Sequence, residues 1–324
     1  MMKAVRCDQF GPAGDLGVSD VEEPRPGVDE ALVRVEAIGM NFHDALLVEG
    51  RYQIKPAVPF IPGGEIAGTV VAVGANADPE LVGRRVVVTS LLGGCAELAC
   101  VPAADCVALP PEFDSPRAAG FAYSFCTAMY ALAERGRLAA GDRVLVLGAG
   151  SGVGFAAVQV ATALGASVIA GASTAPKRQL ALAAGATAAV DTTSASFKTD
   201  VRAVATEGLD VVFDPIGGAL AEHAVRCLGM NGRYLVVGFA SGAIPAVPFN
   251  HILLRNRSVL GAELGSWARR HPVERRQMLQ ALVDMVARGT IQPAVPTSYP
   301  LAETGRALTS ILRREVTGRV VVTP

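Results

Sequence analysis

Residues 39 to 47 read GMNFHDALL, with His43 and Asp44 side by side behind Gly39 and Asn41. Imidazole and carboxylate both ligate metals and both exchange protons, so this stretch could hold a cation, move a proton or only start a helix. A second chemical stretch is GAGSGVG, residues 148–154. Glycines let a backbone approach a pyrophosphate, and the free N–H groups of a helix start bind it. The expected phosphate-binding residues are Gly150, Ser151, Gly152, Val153 and Gly154. The spacing is not a strict G-x-G-x-x-G: read as Gly148, Ser151 and Gly154, it places a serine where a glycine is usual. The strand, helix and following βαβ pattern around it make the loop a dinucleotide site.

The residues further on decide which dinucleotide. A site for a free ribose 2′-hydroxyl carries an acid about 20 residues past the first glycine. No Asp or Glu occurs between Arg143 and Val190. The next strand runs instead into AGASTAPKR, where Ser173, Lys177 and Arg178 place a hydroxyl and two cations around the ribose. A 2′-phosphate favours that environment, so NADPH is the expected ligand. Alternatively, Lys177 or Arg178 belongs to a solvated helix face.

These groups need elements to hold them. A chain of 324 residues suggests roughly two domains, and 51% hydrophobic against 18% charged residues supports a sizeable core. Up to about residue 122, short Val- and Ala-rich strands are separated by Gly, Pro and Asp, which reads as an irregular β domain. From residue 123 to 262, strands alternate with helix-length stretches, which reads as a doubly wound parallel sheet of Rossmann type. In the tail, PVERRQMLQALVDMVARG and ETGRALTSILRR read as amphipathic helices and TGRVVVT as a closing strand. Residues 263–324 are therefore expected to rejoin the first domain.

Val144 to Pro176 contains no charge, but six glycines divide it into strand, helix and strand, so we read a buried α/β unit and no membrane span. Net charge is -1, which excludes an electrostatic case for nucleic acid. Six cysteines without an apolar leader segment suggest reduced thiols in the cytoplasm.

Six segments, among them GMNFHDALLVEGRY, PFIPGGEIAGTVVAVG and DVVFDPIGG, stand in an order and spacing that resembles the medium-chain dehydrogenase/reductase superfamily, within it the zinc-free quinone oxidoreductase group. That resemblance implies a GroES-like first domain. It also implies that Asn41 lies beside the nicotinamide and that Tyr52 lines the substrate cleft. Thr127 is expected at the nicotinamide ribose or amide, Phe239 along the cofactor, and Arg314 near the adenosine phosphate. Zinc-dependent relatives carry Cys where Asn41 stands and Gly-His-Glu where this chain has Gly63, Gly64 and Glu65, so no metal is expected. Cys95, Cys100 and Cys106 lack the spacing of a zinc knuckle and read as core thiols. His43 reads as a helix-start packing residue or a proton donor, and Asp44 as a carboxylate of the first turn.

Without a Lewis acid, conjugated acceptors are easier targets for hydride than simple ketones. The expected activity is NADPH-dependent reduction of quinones or α,β-unsaturated carbonyl compounds. The alternatives are an enoyl thioester reductase, with Arg255, Arg257, Arg269 and Arg270 as a basic entrance, a zinc alcohol dehydrogenase, and a cofactor-binding structural or RNA-binding protein with little turnover. The apolar strand RSVLGAEL would be an exposed sheet edge, so a homodimer paired through it is expected.

Overall fold

Strand Arg143–Leu147 is apolar and buried on both faces from Val144 onward, as a parallel strand must be when helices cover both sides. A computed structural model describes all residues, Met1–Pro324. Five further strands join this one in the order Ala188–Asp191, Ser167–Ala172, Arg143–Leu147, Leu209–Asp214, Leu228–Val236, Ser258–Gly261. Every neighbouring pair is parallel. The strand order reverses beside Arg143–Leu147, and ligands of such sheets bind at that switch, outside the carboxyl ends.

This sheet belongs to a unit made of Ser124–His271 and Gly289–Gln292. Residues 263–271 stay with the parallel sheet because Trp267 packs on Tyr130, ring centroids 4.8 Å apart. The short return at 289–292 is tied in by Gln159, whose Nε2 donates to Gln292 O at 2.9 Å and whose Oε1 accepts from Gln292 N at 2.6 Å.

The other unit comprises Met1–Tyr123, Pro272–Arg288 and Pro293–Pro324. Its seven-stranded sheet is built on the long strand Glu30–Met40, which pairs with Glu65–Val73, Leu98–Pro102 and the closing strand Val320–Thr323. Val320, Val321 and Val322 are buried, which explains the apolar run at the end of the chain. Helix Pro272–Ala287 buries Leu279, Leu282 and Val283, and Arg275 ties it to Asp105. The helical stretch from residue 115 is not continuous: Ser115–Ala119 ends at Gly120, and a new helix starts at Ala122. All six cysteines are free, and no helix is long and apolar enough to cross a membrane.

Candidate active site

In the parallel-sheet unit, the backbone leaves Leu147 through Gly148, which has φ +63. The loop is packed so tightly that only glycine fits at key points. A Cβ at Gly154 would sit 2.1 Å from Gly148 O, and one at Gly150 would sit 2.5 Å from Lys177 Cβ. Ser151 caps helix Gly152–Ala163, its Oγ accepting from Gly154 N at 3.2 Å. The amides of Gly152 and Val153 in the first turn have no intrahelical acceptor, and with the helix dipole they favour negative charge there.

Strand Ser167–Ala172 ends beside this loop, and its next residue, Ser173, is exposed. Lys177 lies against Gly150 and forms no ion pair. Arg178 has a different task. Its Nη1 donates to Ala172 O at 3.1 Å and lies 2.9 Å from Asp191 Oδ2. Of the two cations expected around the ribose, Lys177 faces the loop and Arg178 is anchored to the next strand. The Asp191 carboxyl is held below its usual value by the Thr193 hydroxyl and amide first and by Arg178 after them.

At the same carboxyl edge, Asp214 organises the turn after its strand. Its Oδ1 accepts from Ile216 N at 2.7 Å and Gly217 N at 2.9 Å, and Tyr234 donates its hydroxyl to Oδ2. Burial, then the Asp214 charge, pushes the Tyr234 phenol far above its usual value. Phe239 packs over Gly217, where a Cβ would come within 2.9 Å of its ring. Thr127 is half-buried on helix Ala122–Met129. Arg255 and Arg257 precede strand Ser258–Gly261, at the amino edge of the sheet. They stand at the opposite edge from the loop and do not form an entrance to it.

In the other unit, Asn41 ends strand Glu30–Met40 and caps helix Phe42–Val48. Its backbone N–H donates to Asp44 Oδ2 at 2.8 Å. Its side chain is held at both ends: Nδ2 donates to Glu65 Oε2 at 3.0 Å, and Oδ1 accepts from Arg319 Nη1 at 2.8 Å. Arg319 also donates through Nη2 to Glu65 Oε2 at 2.7 Å and through Nε to Gly120 O at 2.6 Å, while Tyr123 N donates to Glu65 Oε1 at 2.9 Å. Burial pushes the Glu65 carboxyl up, opposed by Arg319, Asn41 and the Tyr123 amide. Burial likewise raises Asp44, opposed by His43 and by the Asn41 amide.

His43 packs edge-on to Tyr123, centroids 4.9 Å apart, with Tyr52 at 5.9 Å. Its Nε2 is 3.7 Å from Asp44 Oδ1, too far for a hydrogen bond, and both atoms are buried without one. Arg314 is exposed at φ +57 after helix Thr304–Leu312, and the arginine of the tail that enters this network is Arg319. Arg319 and Tyr123 were missed in the sequence. The available signal was a charged residue opening the apolar run RVVVT.

These residues do not fit a zinc ion. Asn41 offers a neutral amide, and the Glu65 carboxylate is taken by a guanidinium. Gly64 has no side chain, and a Cβ there would lie 2.5 Å from Ser90 O and 3.0 Å from Leu91 O, which closes the position to histidine.

The profile of the family described as zinc-binding dehydrogenase matches residues 152–288, and that of the alcohol dehydrogenase GroES-like domain matches residues 27–111. The quinone oxidoreductase-like protein 2 homolog of Nematostella vectensis is 33% identical over 324 residues, covering 99% of this chain and 88% of its own. A mycobacterial structure complexed with NADPH matches with a TM-score of 0.90 at 32% identity, covering 100% of both chains. The quinone oxidoreductase of Thermus thermophilus, solved alone and with NADPH, matches with a TM-score of 0.85 at 34% identity, again covering 100% of both chains.

Proposed function

We propose that this chain, which belongs to the quinone oxidoreductase group of the medium-chain dehydrogenase/reductase superfamily, is an NADPH-dependent, metal-independent reductase of quinones or α,β-unsaturated carbonyl compounds. The observation that carries the reading is the pairing of a glycine loop at the sheet's switch point with an ion-pair-free Lys177 packed on Gly150. The Gly152 and Val153 amides hold the pyrophosphate, and Ser173 and Lys177 take the 2′-phosphate. Arg178, anchored to Asp191, fixes the helix start that presents Lys177. Bound NADPH supplies the hydride.

Asn41 is held rigid by Glu65 and Arg319, so its neutral amide keeps one orientation beside the nicotinamide. Tyr52 lines the acceptor side. Phe239, Thr127 and Arg314 complete the cofactor contacts. With no Lewis acid to polarise an oxygen, the favoured acceptor is one whose conjugation spreads the incoming charge. The exposed strand Ser258–Gly261, with Val259 48% accessible, supports a homodimer formed by pairing this edge with its two-fold mate. Six free thiols fit a reducing compartment such as the cytoplasm.

The test is oxidation of NADPH and of NADH against a panel of quinones, enals, enones and enoyl-CoAs. Turnover with NADPH and a quinone or enone upholds the reading. A preference for NADH, or no turnover with any acceptor, overturns it.

A further inference from the structure

At the amino edge of the parallel sheet lies a cavity of about 210 Å³ lined by Lys198, Arg202, Arg226, Arg255, Arg257, His251 and Leu254. No carboxylate lines it. Lys198 and Arg202 stand four residues apart on helix Phe197–Val204 and so share a face. Arg226 caps helix Ala219–Val225, and Arg255 and Arg257 lie in the turn before strand Ser258–Gly261. The one acid bonded to this group is Glu222, 2.7 Å from Arg226 Nη2. His251 Nε2 accepts from Arg226 Nε at 3.1 Å.

A solvated basic face would account for Lys198, Arg202 and Arg255. It does not account for Arg257, which is only 8% exposed. Its Nη1 donates to His251 O at 3.0 Å and its Nη2 to Leu228 O, which leaves a buried Nε–H with no acceptor. A buried charged donor without a partner is costly, and like charges crowded around it add to the cost. Burial, then Arg255 and Arg202, pulls the Arg257 guanidinium below its usual value. An anion in the cavity offsets the crowded positive charge.

We propose that this cavity is a binding site for a phosphate-bearing anion of diphosphate size, separate from the nucleotide loop. A phosphomonoester carries about 1.5–2 negative charges near neutral pH, so a pair of phosphoryl groups matches five cations, one of them paired with Glu222, far better than a lone carboxylate would. The volume is roughly seven times the ~30 Å³ of a water in the liquid, which holds two phosphoryl groups but no dinucleotide. Guanidinium forks suit phosphate oxygens. The loop Gly148–Gly154 lies at the opposite, carboxyl edge of the same sheet, so both sites can be filled at once. The paired phosphoryl groups have two sources, inorganic pyrophosphate or the two phosphates of an adenosine bisphosphate.

Isothermal titration of the full chain decides, at fixed ionic strength, with inorganic pyrophosphate and separately with adenosine 3′,5′-bisphosphate, each with and without saturating NADPH. We expect at least one probe to bind with NADPH present and to lose at least tenfold in affinity in the double variant K198Q/R255Q. These two side chains have no partner, so replacing them orphans nothing, and an unchanged circular dichroism spectrum confirms the fold. Tighter binding of either probe upholds the site and identifies the source. Loss of all binding when NADPH saturates places the probe in the nucleotide loop and overturns the proposal. So does an unchanged affinity in K198Q/R255Q, or no binding of either probe. If NADPH itself does not bind, the titrations without it still test this site.

Discussion

Arg319 Nη2 lies 2.7 Å from Glu65 Oε2, although the two residues are 254 positions apart and Glu65 has no exposed surface. The closing strand Val320–Thr323 thus delivers a cation to the place where a metal-binding relative would keep its ligands. Breaking such a pair leaves a buried charge alone. R319M is expected to lose about 3–5 kcal/mol of stability, and E65Q/R319M distinctly less. Urea denaturation of the three proteins checks this. A single variant within about 1 kcal/mol of wild type would mean that the pair holds nothing.

Acid stability depends on Glu36. Burial raises its carboxyl, but the Ser115 hydroxyl at 2.5 Å, the Thr69 hydroxyl at 2.7 Å and the charges of Arg85 and Arg34 outweigh that, and the net shift is downward from 4.5. A lowered folded value means that folding favours the ionised form. The contribution is present above 4.5 and is lost as pH falls through the lowered value. S115A/T69V moves the folded value back up, so its acid unfolding midpoint is expected at higher pH than that of wild type. Circular dichroism across an acid titration reads the difference, and coincident midpoints would remove Glu36 from the account.

Cofactor choice separates Lys177 from Arg178. A charge-assisted contact to phosphate contributes about 1.5–3 kcal/mol, so K177A is expected to weaken NADPH roughly ten- to a hundredfold and leave NADH unchanged. R178A loses the solvent-screened Asp191 pair and is expected to have a smaller effect on NADPH. Fluorescence titration of both cofactors with both variants measures this. Equal losses for NADPH and NADH in K177A would contradict a 2′-phosphate role.

The parallel sheet and its loop were legible because their signals are local. Val144 to Leu147 is an apolar run buried on both faces, and the glycines follow it directly. What escaped is long-range or depends on a partner. The ion pair of Arg178 with Asp191, on a later strand, has no local signal. The packing of Trp267 on Tyr130 likewise has no local signal. Arg319 looked like an ordinary strand opener, and only tertiary pairing of Val320–Thr323 with Glu30–Met40 brings it to Asn41.

Metal removal is expected to leave activity intact, and restoring ligands is expected not to create a zinc enzyme. In N41C/G64H a thiol becomes available, but the new imidazole has no room, because a Cβ at Gly64 already lies 2.5 Å from Ser90 O. Shifting the backbone at Ser90 would disturb the carbonyl that accepts from the Tyr123 hydroxyl. Arg319, one residue before its strand, would also repel a divalent cation at Glu65. Dialysis against a chelator should therefore not change NADPH oxidation by the wild type, and elemental analysis of N41C/G64H should find no stoichiometric zinc. Activity that falls on chelation and returns with Zn²⁺ would show that the guanidinium is not the resident cation of this site.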